Sequence, residues 1–308
     1  MSDLTYQQLS WSKRWWIYQQ ERFPIVQNGI VVAVFSISTM LYSSILRHGS
    51  SPSLKSLVIG FLSTFLFFLL LRIADEFKDF EEDSRFRSYR AVPRGVVTLK
   101  QLGVLGFFTG LVQLGMAFWL SPKLIPWLML AWGYLALMSK EFFIKEWLKA
   151  HPILYLLSHM VMMPMIVMYV VACDWVTVSA TMPPGLPWLL LASYGNGIIL
   201  EIGRKIRIPE DEEYGVETYS FLWGYKKATW IWVSVVLLTS CVVLMASAQV
   251  GTGHIVLWGT LLNALITFLM ALTVLRYMTT KVAKAIEKVS GLLIILMYLS
   301  LGIVPLLL

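Results

Sequence analysis

The sequence predicts an all-α, polytopic membrane protein in which about nine transmembrane helices surround a central cavity open to the cytoplasmic side. Three observations carry this. Of 308 residues, 57% are hydrophobic and only 14% are charged. The mean hydropathy is +0.70. Apolar runs of roughly 20 residues, the length that crosses a hydrocarbon core of about 30 Å, recur from end to end. A soluble domain of this size has too little interior to bury so much apolar surface.

Residues 1–22 set Trp11, Trp15, Trp16 and Tyr18 among Lys13, Arg14 and Arg22, the composition of an amphipathic helix lying on the cytoplasmic face. One transmembrane domain is expected over 23–308, with spans at 23–46, 54–74, 99–120, 123–139, 151–173, 185–203, 228–249, 254–275 and 289–307. The first run is long enough to cross and follows about twenty polar-rich residues, so it reads as a membrane helix and not as a cleaved signal. Ser121-Pro122-Lys123 separates the third span from the fourth as a turn.

Basic residues orient the array. With the N-terminus inside, only Arg47, Lys55 and Lys123 of the 25 Lys and Arg fall in outer segments, so the positive-inside rule gives N-in, C-out. The net charge of +7 is thus a topology signal, and neither a nucleic acid nor a protein partner is expected. The chain is placed as a multi-pass integral membrane protein, in the cell inner membrane if the source is bacterial, with its site facing the cytoplasm. Cys173 and Cys241 are too few for a disulfide framework or a thiolate metal site.

The acidic residues gather in the inner loops after the second and sixth spans. These loops are four spans apart, which hints at a weak internal repeat around one cavity. In the first cluster, Asp75, Asp79 and Asp83 recur every four residues beyond Arg72. A helix continuing past the membrane edge would align them in one carboxylate stripe, whose mutual repulsion a divalent cation would relieve. Arg85, Arg87, Arg90 and Arg94 follow. The second cluster holds Glu201, Arg204, Lys205 and Arg207, then Glu210, Asp211, Glu212 and Glu213. Carboxylates beside Arg and Lys at a bilayer edge suit divalent cations and a phosphorylated ligand. Below them, Trp132, Tyr134, Tyr155 and Tyr194 offer ring faces or plain packing. His159 and Asn196 are intramembrane polar residues of a kind that either serves a cavity or joins helices. The inner loop from Ser139 to Lys149 is amphipathic and reads equally as a cavity cap or an interfacial helix. No P-loop, dinucleotide fingerprint, zinc signature or Ser-His-Asp arrangement is present.

The stretch from Asp75 to Gly95, ending Tyr89-Arg90-Ala91-Val92-Pro93-Arg94-Gly95, resembles the first signature of the UbiA superfamily of intramembrane prenyltransferases, Asn-x3-Asp-x3-Asp followed by Arg-Pro-x-Pro-x-Gly. Asp75 stands where the family has Asn, Asp79 and Asp83 match its aspartates, and Ala91 replaces its first Pro. Gly215-Val216-Glu217-Thr218 is similar to the Gly-x-x-Thr that closes the second signature. Asp211 fits that signature's last aspartate, and Glu201 fills an earlier acidic position only across a local insertion. The resemblance implies a Mg2+-dependent enzyme that transfers the prenyl group of an isoprenoid diphosphate to a lipophilic acceptor, aromatic or otherwise.

In that reading Asp75, Asp79, Asp83, Glu201 and Asp211 are the metal-binding and catalytic carboxylates. Arg72, Arg90, Lys205 and Arg207 take the diphosphate, while Tyr134, Tyr155, His159 and Asn196 line the prenyl and acceptor cavity. Two alternatives stay open: a membrane terpene cyclase of the same superfamily, in which the prenyl chain captures its own cation, and a secondary transporter whose carboxylates mark an ion path.

Overall fold

Every stretch expected to cross the bilayer is helical in the computed structural model, which describes residues 6, 8–178 and 181–308. Residues 1–5 and Gln7 of the expected amphipathic segment lie outside the described residues. The helices are α1 (Trp11–Arg22), α2 (Ile25–Leu46), α3 (Leu54–Lys78), α4 (Phe80–Phe86), α5 (Leu99–Leu120), α6 (Ile125–Ser139), α7 (Lys145–Ala150), α8 (Pro152–Met160), α9 (Met162–Trp175), α10 (Leu186–Gly203), α11 (Tyr219–Trp223), α12 (Tyr225–Gln249), α13 (Gly253–Arg276) and α14 (Thr280–Gly302). Among the described residues, seven spans are long and apolar enough to cross a membrane: α2, α3, α5, the α8–α9 pair, α12, α13, and α14 with its extension to Leu306. The other two expected spans are α6, of 15 residues, and α10, of 18 residues.

Helices adjacent in sequence pack side by side, and α14 returns to α2 to close the ring. On the inside, α9 touches α2, α3, α6 and α10, and Ile166, Val167, Tyr169, Val170 and Val171 are fully buried there. On the outside, α5 and α13 expose Phe107, Phe108, Leu261 and Leu262, apolar surface of the kind that faces lipid. Small residues set the closest approach: a Cβ on Gly195 would stand 2.2 Å from Thr239 Oγ1, so α10 and α12 meet backbone to side chain. At the end away from the acidic loops, Arg47 grips Asp174 at 2.8 Å and Ser43 donates to the same carboxylate at 2.9 Å, fixing α2 to α9.

Three local features shape the other end. The fifth expected span is broken at Val161, between α8 and α9, because Pro164 supplies no N–H to the carbonyl of Met160 and its ring crowds that group. The expected single helix through Asp75, Asp79 and Asp83 is interrupted at Asp79. Asp79 bonds back to the Asp75 carbonyl and accepts from Asp83 N–H, so the four-residue hydrogen-bond register continues across the break. Finally, α1 does more than lie on a surface: Arg14 Nε donates to the Val96 carbonyl at 2.7 Å, Arg22 pairs with Glu76 at 2.5 Å and Arg94 with Glu21 at 2.7 Å. The aromatic anchor is thereby clamped to the first acidic segment, while Trp11 and Trp16 stay exposed.

Candidate active site

The site grows from the C-terminal ends of α3 and α10, where the last apolar turn gives way to charge. Lys78, Arg204 and Lys205 stand at those ends, where cations also offset the negative pole of the helix. Arg72 Nη1 lies 3.7 Å from Asp75 Oδ2, a loose contact that leaves the Asp75 side chain 38% exposed. Burial pushes the Asp79 carboxyl above its ordinary range; adjacent Lys78 pulls it back, while Asp75 and Asp83 add to the rise. On the opposite rim, Glu201 holds the Arg204 guanidinium above its usual value, and Asp75 contributes in the same direction. The two ends therefore share one electrostatic field.

The remaining carboxylates are already engaged. Asp83 is buried, pairs with Arg87 at 2.6 Å and accepts from Arg90 at 2.7 Å. Glu201 accepts from Arg204 at 2.5 Å and from Lys205 at 3.0 Å. Asp211 lies on the second loop, lining a cavity of about 260 Å³ with Arg204, Arg207, Glu213, Lys284 and Glu287. Arg207 donates to Glu213 at 3.3 Å, and Tyr89 donates to the other oxygen of Glu213 at 3.0 Å. That contact links the two acidic segments, as does Phe86 edge-on to Tyr214, with ring centroids 5.7 Å apart. Thr218, at the end of the Gly-x-x-Thr stretch, has a structural part: its hydroxyl caps α11 by accepting from Phe221 N–H and donates to Glu212 at 2.6 Å.

Beneath the rim stands an aromatic wall. Lys78 Nζ donates to Tyr155 Oη at 2.7 Å. The Tyr155 ring stacks on His159 at 3.9 Å and 13°. Phe142 meets His159 edge-on at 6.0 Å and Tyr134 at 5.7 Å. Glu141, Phe142 and Phe143 all adopt positive φ, at 48°, 55° and 62°, a left-handed turn that costs about 1–2 kcal/mol per residue without glycine. It turns the Phe142 ring inward and leaves Glu141 buried beside Tyr155. The expected cap loop is also tied to the first acidic segment by an ion pair between Lys149 and Glu82.

Several expected residues have specific local jobs. Tyr134 Oη donates to the Ser158 carbonyl at 2.5 Å and Tyr194 Oη to the Leu157 carbonyl at 3.1 Å, satisfying acceptors that the end of α8 leaves without backbone partners. Trp132 faces away from the wall, donating to Gln113, which in turn donates to the Ser63 carbonyl. Asn196 is buried beside Ser193 and Tyr298, between α10 and α14. His159 Nδ1 pairs with the Tyr155 carbonyl at 2.8 Å, while its Nε2 is buried without a partner.

Among the described residues, no group of three or more His, Cys, Asp or Glu is arranged to hold a metal ion. The donor set nonetheless fits one Mg2+ at Asp75 and Asp79, since that ion takes one or two carboxylates and fills its octahedron with water and phosphate oxygens. Sequence reasoning missed Lys78, Arg87 and Phe142. Arg87 was findable at four residues from Asp83, as an i,i+4 partner; a left-handed turn at Phe142 has no sequence signal.

The model of the UbiA prenyltransferase family matches residues 36–301. The chain is similar to a solved UbiA homolog from Aeropyrum pernix K1, with a TM-score of 0.66 at 15% identity over 90% of this chain and 98% of that one. A structure described as digeranylgeranylglyceryl phosphate synthase gives 0.63 at 14% identity over 96% and 100%. A UbiA homolog from Archaeoglobus fulgidus, bound to GPP and Mg2+, gives 0.56 at 11% identity over 93% and 99%. A sequence search among curated proteins returned no match.

Proposed function

Because this chain belongs to the UbiA prenyltransferase family, we propose that it is a Mg2+-dependent intramembrane prenyltransferase, taking an isoprenoid diphosphate and a lipophilic acceptor at a cytoplasm-facing rim. The observation that carries this reading is the pairing of two lightly engaged carboxylates, Asp75 and Asp79, with the cations Arg72, Lys78 and Arg204, directly above the Tyr155–His159 stack. A dense anion and a greasy tail need such a charged rim over an apolar, aromatic wall. The homolog bound to GPP and Mg2+ supports the same ligand class here.

Asp75 and Asp79 are the residues that would hold the ion. Bound there, Mg2+ supplies Lewis-acid neutralisation of the charge that builds on the departing diphosphate. Arg72, Arg204 and Lys205 add fixed positive charge toward that same group, favouring heterolysis of the allylic carbon–oxygen bond, whose electron pair leaves with the diphosphate. Tyr155, Phe142 and Tyr134 exclude water from the resulting cation and turn electron-rich faces to it, at about 0.5–2 kcal/mol per ring. The acceptor nucleophile then forms the new bond and loses a proton.

Diphosphate release tests this, with purified protein in lipid, geranyl, farnesyl or geranylgeranyl diphosphate, and either Mg2+ or EDTA, with and without a cell lipid extract. Mg2+-dependent release only with extract is expected. Release without extract would favour the cyclase, and no release under any condition would remove the transferase reading.

A further inference from the structure

We infer that the second half of the diphosphate site is built from fixed cations in place of a second metal ion, with Arg204 and Lys205 holding the phosphate oxygens. This rests on the transferase reading above and assigns its second acidic cluster a different part from the one that the family resemblance implied. The observation is an inversion of exposure between the two rims. At the α10 end the carboxylate is inside and the cations outside: the Glu201 side chain is 11% exposed, against 46% for Arg204 and 34% for Lys205.

Both Glu201 oxygens are occupied, at 2.5 and 3.0 Å. A metal ion there would have to displace two cations that already neutralise a buried carboxylate. One carboxylate against two cations leaves a surplus positive charge on the exposed side of this cluster, which an anion would satisfy. A guanidinium presents paired N–H donors suited to phosphate, and an ammonium adds a point charge. Asp83 repeats the arrangement, buried between Arg87 and Arg90. The α3 end is the reverse, with Asp75 outward and only loosely met by Arg72. The Asp75 corner of the rim thus suits a cation and the Arg204–Lys205 corner an anion.

The test uses the full chain in nanodiscs with two probes. Mn2+, followed by its free-ion EPR signal, should bind once per chain. That site should persist in Glu201→Gln and vanish in Asp79→Asn. Inorganic pyrophosphate, followed by calorimetry in EDTA, should bind without any metal. Its affinity should fall about tenfold in Lys205→Gln, the loss of one charge-assisted hydrogen bond, and hold in Lys205→Arg. Arg204 keeps Glu201 paired in both variants, and a melting curve checks that both fold. A second Mn2+ site lost in Glu201→Gln, no Mn2+ bound, or pyrophosphate binding that requires metal would each overturn the inference. The release assay on the same nanodiscs separates the two readings. Turnover with two Mn2+ sites sinks only the fixed-cation half, whereas retained pyrophosphate binding with no turnover on any prenyl diphosphate sinks only the transferase.

Discussion

Phe86 lies so close against Gly215 that a Cβ at the glycine would stand 2.6 Å from the ring's Cγ, and Gly215 itself has φ +77°. This contact seats the second acidic loop on the first, so the glycine of Gly-x-x-Thr serves assembly of the rim. Gly215→Ala should lower stability by about 1–3 kcal/mol through the clash and the left-handed backbone together. Phe86→Ala should relieve the clash while leaving the backbone strain, so the double variant should melt above the sum of the two single losses. Melting curves in nanodiscs measure both; a parent-like Gly215→Ala would mean that the loops do not depend on this seat.

Arg22 and Glu76 form the joint between α1 and α3, with the Glu76 side chain only 1% exposed. Arg22→Ala leaves that charge buried and alone, a loss of about 3–5 kcal/mol by the usual cost of breaking a buried pair. Adding Glu76→Gln should recover much of it, because the uncompensated charge is then gone. Thermal melting of the three variants tests this; equal losses in Arg22→Ala and the double variant would assign the effect to lost packing instead.

How far the sequence reached follows from which signals are local. Hydropathy is a sum over many residues, so the helices appear where they were expected. The Asp75-x3-Asp79-x3-Asp83 spacing falls at the C-terminal end of α3, with Asp79 following its last residue. Spacing reports which side chains share a face and not that Asp83 pairs with Arg87 and Arg90. Glu201 is similar: Arg204 and Lys205 sit three and four residues on, and that pattern is as much an ion-pair signal as a ligand signal. The docking of α1 through Arg14, Arg22 and Glu21, and the left-handed turn at Phe142, depend on partners remote in sequence, which no local pattern encodes.

The pair joining Lys149 of the cap to Glu82 gives a pH signature. Burial alone would raise Glu82 and lower Lys149, but their mutual hydrogen bond and charge reverse both, leaving Glu82 lowered and Lys149 raised. A carboxyl held low contributes stability above its ordinary 4.5 that is lost as pH falls through its folded value. An ammonium held high contributes below its ordinary 10.5, and that is lost as pH rises through its folded value. Lys149→Gln should therefore cost less than about 1 kcal/mol, since both ends are solvent-screened. The loss should be flat between those limits, disappear in strong acid and shrink in high salt, as melting curves across pH and ionic strength would read.

Asp79 and Asp83 sit one helical turn apart and should respond oppositely to the same substitution. Asp79 is half-buried with its carboxyl pushed up by desolvation and by Asp75 and Asp83, so its charged form is disfavoured where it stands. Asp79→Asn removes that penalty at nearly constant volume, and the metal-free protein should melt at the parent temperature or above. Mg2+-dependent diphosphate release should meanwhile fall by at least about 100-fold, as an ion held by one carboxylate loses much of its leverage on the leaving group. Asp83→Asn instead strips Arg87 and Arg90 of their shared buried partner and should lower stability by about 3–5 kcal/mol. Melting curves in EDTA, set beside release rates in Mg2+, separate a carboxylate kept for a ligand from one kept for the fold; two parallel losses of stability would show that both serve the fold.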